Sequence, residues 1–106
     1  MASPDRLTRD TVLRRSSGVL AERLLDETVV LHPGVARYTR LNAAGTLLWE
    51  GLDEPVSLGS LADRLVEQFG IGRARALADA RSFVRSLLTR DLLVLAESRG
   101  SDVERL

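Results

Sequence analysis

Cysteine and lysine are both missing from this sequence. Without cysteine there is no disulfide, no cysteine-based zinc site and no thiol catalysis, and the redox compartment leaves no mark on the chain. Without lysine, all fifteen basic residues are arginine, and fifteen acidic residues balance them to a formal net charge of zero. That balance argues against non-specific nucleic-acid binding, which draws on a positive surface excess. Long apolar runs are absent too: no window approaches the ~20 residues of a membrane span. The opening "MASPDRLTRD" has no apolar stretch of a secretory signal. The expectation is a cytoplasmic protein with no membrane association.

Side chains suited to catalysis are scarce. The single histidine, His32, stands beside Pro33 at an expected hairpin end and reads as a turn residue. Asp26 with Glu27, and Asp53 with Glu54, are adjacent carboxylates in loops. Neither pair has the further His, Asp or Glu at the spacing a metal site needs, so both read as solvated turns. The "GIG" at Gly70 to Gly72 carries nothing else of a phosphate-binding loop. No catalytic residue, metal or cofactor is expected.

What is present suits one compact domain. The 106 residues are 44% hydrophobic and 28% charged, ordinary values for a globular chain of modest stability. Residues 1–10 and 97–106 are expected as flexible ends around a domain at 11–96. "TVLRR" suits a short strand, whereas "SSGVLAERLLDE" fits a short helix or an irregular strand equally well. Thr28 to His32 and Val35 to Leu41 alternate around the turn signal Pro33-Gly34, which predicts a hairpin. Val35, Arg37, Thr39 and Leu41 share one face of its second strand, and Ala36, Tyr38 and Arg40 share the other. Neither face is strongly apolar, which favours a position at the edge of a sheet.

Three helices follow. Asn42 is suited to cap the first, Ala43 to Leu52. Ser57 is suited to cap the second, Leu58 to Phe69, whose stripe of Leu58, Leu61, Leu65 and Phe69 ends at Gly70, the residue type favoured just past a helix. The third runs from Arg73 to Arg90 with an apolar arc of Ala76, Leu77, Ala80, Phe83, Val84, Leu87 and Leu88. That arc is too wide for one neighbour. "LLVLAE" then reads as extended. A small antiparallel sheet with three helices describes an α+β domain of winged helix-turn-helix type. Trp49, the sole tryptophan, falls among leucines and reads as core.

An unpaired edge strand is a hazard unless it is protected or used. Its use would be strand addition, in which a guest peptide pairs along Val35 to Leu41 and sets side chains into a neighbouring groove. Ala76 and Ala80 leave room on the third helix, Phe83 and Leu87 supply apolar walls, and Asp79 flanks them. Close packing of the same alanines against the sheet satisfies the periodicity equally well. A DNA reader is the rival, since the third helix carries Arg73, Arg75, Arg81, Arg85 and Arg90. Those arginines are spread around the wheel, and the second helix sets Asp63 and Glu67 against Arg64, so nucleic acid is not the expected partner. A plain edge-to-edge dimerisation module is the third reading.

The run "ARYTRLNAAGTLLWEGLDEPVSLGSLADRLVEQFGI", followed by a third helix and "RDLLVL", resembles the PqqD-like family of leader-recognition domains, the RiPP recognition elements. Tyr38 to Asn42 ("YxxLN"), "AGTLLWEGL" and "LADRLVEQFG" carry the resemblance, which covers about Thr11 to Leu95. It implies a winged-helix fold with a three-stranded sheet, and a precursor leader peptide that adds as a further strand between the third strand and third helix. Carried over, the peptide-binding residues are Val35, Ala36, Arg37, Tyr38, Thr39, Arg40 and Leu41, with Ala76, Asp79, Ala80, Phe83 and Leu87 facing them. A free-standing chain of this kind is similar to the leader-binding proteins of lasso peptide biosynthesis. The implied partners are then a separate leader protease and a cyclase. The peptide chaperone of pyrroloquinoline quinone biosynthesis, which serves a radical SAM enzyme, is the nearest alternative. Gly72 stands where Asp or Pro commonly opens the family's third helix, and Asp91 where Gly often follows it.

Overall fold

The computed structural model describes residues 7–96, and the elements below are those of the described residues. In chain order, β1 is Val12–Arg15, β2 Leu20–Leu24, β3 Glu27–His32 and β4 Arg37–Leu41. Helix α1 (Ala43–Glu50), β5 (Val56–Ser57), α2 (Leu58–Phe69), α3 (Arg73–Thr89) and β6 (Leu93–Leu95) follow. The architecture is α+β with two antiparallel three-stranded sheets, ordered β2-β3-β4 and β5-β1-β6. A single sheet was expected. The second escapes a local reading because its strands come from residues far apart in sequence, Leu13 pairing with both Val56 and Leu95.

The undecided stretch after Ser17 resolves as strand. Gly18 takes φ +81, a conformation open to glycine, and β2 then pairs with β3 from Leu20↔Leu31 to Leu24↔Glu27. Every residue of β2 is exposed. The strand therefore gains its order from the ladder and not from burial, which is why its hydrophobic pattern was uninformative.

The helix signals match the structure closely. Asn42 Oδ1 accepts the Gly45 N–H at 2.9 Å, a cap whose loss costs about 1 kcal/mol. Ser57 Oγ accepts the Ser60 N–H at 3.1 Å, and Gly70 ends α2 in the left-handed region at φ +67. Helix α1 stops two residues earlier than expected, because the Gly51 N–H turns back to Leu47 and Leu48. At α3, Gly72 sits at the N-cap without a side-chain cap, and Asp91 follows the helix with φ +63. Glycine would suit that second position. Aspartate is among the side chains that tolerate it best.

The core lies between the helices and both sheets: Leu13, Val30, Leu48, Leu58, Leu61, Val84, Leu87 and Leu93 are buried. The expected loose ends, residues 1–10 and 97–106, lie outside the described residues except for residues 7–10, where Leu7 is buried. Arg81 Nε donates to the Leu7 carbonyl at 3.1 Å. Phe69 departs from its predicted stripe and is 48% exposed.

Trp49 is core, as its setting implied, at 3% exposure. Arg15 of β1 lies 4.4 Å over its ring and donates to its carbonyl oxygen. Burial lowers the Arg15 pKa from the ordinary value, while Asp53 and Glu50 act in the opposite direction. The guanidinium stays charged at neutral pH. A second polar link is buried: Thr28 Oγ1 donates to Thr46 Oγ1 at 2.9 Å, tying β3 to α1.

Candidate functional site

Strand β4 is an edge, as its weakly apolar faces suggested. It is shorter than the sequence implied, since Val35 and Ala36 belong to the turn. Both of their N–H groups point back to the His32 carbonyl, and Ala36 has φ +54. Within the strand Thr39 and Leu41 are buried, while Tyr38 and Arg40 are exposed.

The turn also decides which backbone groups remain open. His32 pairs with Arg37 as the first rung of the β3–β4 ladder. An antiparallel rung is either a hydrogen-bonded pair or a non-hydrogen-bonded one, and the second kind would need a bond from the N–H of residue 33. Residue 33 is proline and has none. His32–Arg37, Val30–Thr39 and Thr28–Leu41 are therefore the hydrogen-bonded pairs. The N–H and C=O groups of Tyr38 and Arg40 point away from β3, toward the open side.

Beside that edge runs a trough against α3. Its middle, about 340 Å³, is lined by Tyr38 to Asn42 and Gly45 on one side and Ser82, Phe83, Ser86, Leu87 and Arg90 on the other. Toward the hairpin turn it continues into a recess of about 200 Å³ that includes Arg37, Thr39, Thr89, Arg90 and Asp91. Toward α2 it opens onto a mainly apolar hollow of about 560 Å³ with Ala44, Leu48, Leu65, Phe69, Ile71 and Phe83 in its walls. Phe69 is exposed because it forms part of this wall.

The expected residues divide accordingly. Arg37, Tyr38, Thr39, Arg40, Leu41, Phe83 and Leu87 line the middle or the turn-side recess. Val35 reaches only the turn-side recess, and Asp79 lies at the rim of the apolar hollow, 3.5 Å from Arg75. Ala76 and Ala80 do not line these cavities. Both are fully buried, packed in the core, so the alanines serve helix packing and leave no room for a guest. Ser82 and Ser86 of α3 and Arg90 just past its end, set four residues apart, were missed. They form a stripe at helical spacing beside the apolar arc, a signal the sequence did hold.

Gly45 sits where the middle trough meets the apolar hollow. A Cβ there would stand 3.2 Å from Leu41 Cβ and 3.3 Å from Phe83 Cε1. Phe83 is half-buried and has room to yield toward the trough, Leu41 Cβ beside the strand backbone has little, and alanine's helix-propensity gain, at most about 1 kcal/mol, offsets that tight contact. Gly45→Ala should therefore leave the melting temperature within a few degrees of the parent. It should also weaken any ligand of this junction by about fivefold or more, readable by titration calorimetry.

An α+β domain with an open sheet edge beside a helical wall is the class that fold and trough define. Residues 27–93 match the family model for coenzyme PQQ synthesis protein D (PqqD), more than half of the chain. The chain belongs to the PqqD family. Its structure is similar to that of TbiB1 in complex with the TbiA(beta) leader peptide, with a TM-score of 0.73 and 27% identity over 80% of this chain and 99% of that one. The PqqD truncation of Methylobacterium extorquens PqqCD, a stand-alone RiPP recognition element, has a TM-score of 0.72 at 19% identity, covering 88% and 99% of the two chains. Lasso peptide synthetase B1 complexed with its leader peptide has a TM-score of 0.65 at 20% identity, over 77% and 96%. No curated protein matches the chain in sequence. Among the described residues no helix is long and apolar enough to cross a membrane, and no cluster of His, Asp and Glu has the grouping of a metal site.

Proposed function

We propose that this domain binds the leader segment of a ribosomally made precursor peptide by accepting it as a strand along β4, and that it presents the precursor to separate enzymes. The observation that carries the reading is the free ladder face of Tyr38 and Arg40 beside a trough against α3. Family membership and the leader-bound TbiB1 relative support it. A lasso peptide pathway, with a leader protease and a cyclase as recipients, is the finer reading, in keeping with the fold shared with lasso peptide synthetase B1. The chain's part is recognition without catalysis. Its one histidine is engaged in the turn, where Nδ1 accepts the Gly34 N–H at 3.1 Å.

Backbone pairing alone does not suffice. Four ladder bonds at about 1 kcal/mol each are largely consumed by the cost of association. Micromolar affinity requires about −8 kcal/mol. One apolar side chain buried in the hollow beside Phe83 adds about 1.5–3 kcal/mol, so micromolar binding needs several side-chain contacts along the trough and not one. The DNA reading fares worse in the structure. Arg64 donates to the Leu47 carbonyl at 3.2 Å, Arg75 pairs with Asp79 and Arg81 holds Leu7, so these arginines are spent on the chain itself.

The test requires a candidate precursor, a short reading frame sought in the neighbourhood of the gene. Its synthetic, fluorescently labelled leader should bind saturably, and a duplex DNA of the same charge should not compete. Saturable duplex binding that collapses with salt, with no leader binding, would overturn the assignment.

A further inference from the structure

The trough is electrically lopsided. Its middle and its turn-side recess are lined by Arg37, Arg40 and Arg90 against Asp91 alone. Arg40 is occupied by Glu27, 3.0 Å away. Among the described residues neither Arg37 nor Arg90 has a carboxylate within ion-pair distance, although Asp91 shares their recess. At the other end, Arg75 and Asp79 neutralise each other around an apolar hollow.

Register converts this asymmetry into a sequence requirement. A strand added to β4 alternates its side chains in step with it, so guest residues opposite Arg37, Thr39 and Leu41 turn inward, toward α3. Arg37 itself lies on the inward-facing set of the strand, next to Arg90 in the recess. Resting on the leader-binding reading, we infer that this domain selects guests carrying an Asp or Glu at the inward position opposite Arg37. That position is four residues from the one facing Leu41 and Phe83, where an apolar side chain is wanted. The carboxylate accepts charge-assisted hydrogen bonds from Arg37 and Arg90, which are stronger than neutral ones. In an antiparallel guest the apolar residue precedes the acid; in a parallel guest it follows. The order therefore reports the direction of the added strand. The opposing view is that Arg37 merely blunts the edge as an inward charge, a known device against aggregation.

A phage-displayed library of random 12-residue peptides separates these views. Wild-type protein should enrich peptides with an apolar residue and an acid four positions apart. The double variant Arg37→Ala/Arg90→Ala should bind the enriched peptides about tenfold more weakly or worse. Its own selection should keep the apolar residue and lose the acid, and Arg37→Glu/Arg90→Glu should select Arg or Lys in its place. Both positions are exposed, and circular dichroism confirms that each variant is folded before selection. An enriched pool without an acid, bound equally by the double variant, overturns the charge requirement and leaves leader recognition standing. A wild-type selection with no enrichment, or with enriched peptides that ignore a proline at Tyr38, overturns strand addition and this inference with it.

Discussion

Tyr38→Pro should abolish peptide capture while the protein stays folded. The Tyr38 N–H faces the open side of β4 and has no backbone partner among the described residues, so proline removes a donor that a guest would use. Its ring also fills the space where the guest backbone must approach. Proline is tolerated on an edge strand with its nitrogen facing outward. The residue before it, Arg37, is already extended, as a residue preceding proline prefers. Binding of the labelled leader should fall by well over tenfold, since a lost hydrogen bond of about 1 kcal/mol is joined by steric exclusion. Two controls give the result its meaning. Tyr38→Ala keeps the N–H and should keep most of the affinity. Thr39→Pro removes a bond of the domain's own ladder and should cost about 3 kcal/mol or more of stability. Equal binding by Tyr38→Pro and the parent would end the case for this edge.

Trp49→Ala should be the most damaging single truncation in the helical layer. The indole is buried under Arg15, and its removal leaves a cavity with a guanidinium above it. Large aromatic truncations in cores cost about 3–5 kcal/mol. Domains of this size hold about 5–15 kcal/mol in total and lose about 4–8 °C of melting temperature per kcal/mol, so the variant should melt roughly 12–40 °C below the parent. Trp49→Phe retains a ring for Arg15 and most of the volume, and should cost under about 1.5 kcal/mol. Urea denaturation followed by circular dichroism distinguishes the two. Similar midpoints for both variants would show that the indole's volume and its stacked cation contribute little.

The legible parts of this fold were those with a local cause. Asn42, Ser57 and Gly70 mark helix ends through hydrogen bonds and backbone angles set within a few residues, and the structure places them where the sequence implied. The second sheet was illegible because β5 is only Val56–Ser57 and gains its partner from Leu13, more than forty residues earlier. Ala76 and Ala80 were misplaced for a related reason. Periodicity identifies the apolar arc of α3 without saying which part of it meets the core, and small residues suit close packing as well as they suit an open groove. The stripe of Ser82, Ser86 and Arg90 lay beside that arc, yet its polarity made it look like a solvated face.

Pro33 does not line the trough, yet by lacking one hydrogen it fixes the phase in which β4 offers its amides. Any strand that docks must adopt that reading frame, whatever its composition. If a leader adds along β4 as proposed, the backbone half of recognition is blind to sequence and held constant by the hairpin. Discrimination falls to a few side chains on α3 and at the two ends of the cleft. A domain organised this way can acquire a new client by exchanging those side chains alone, with the scaffold that aligns the client left untouched.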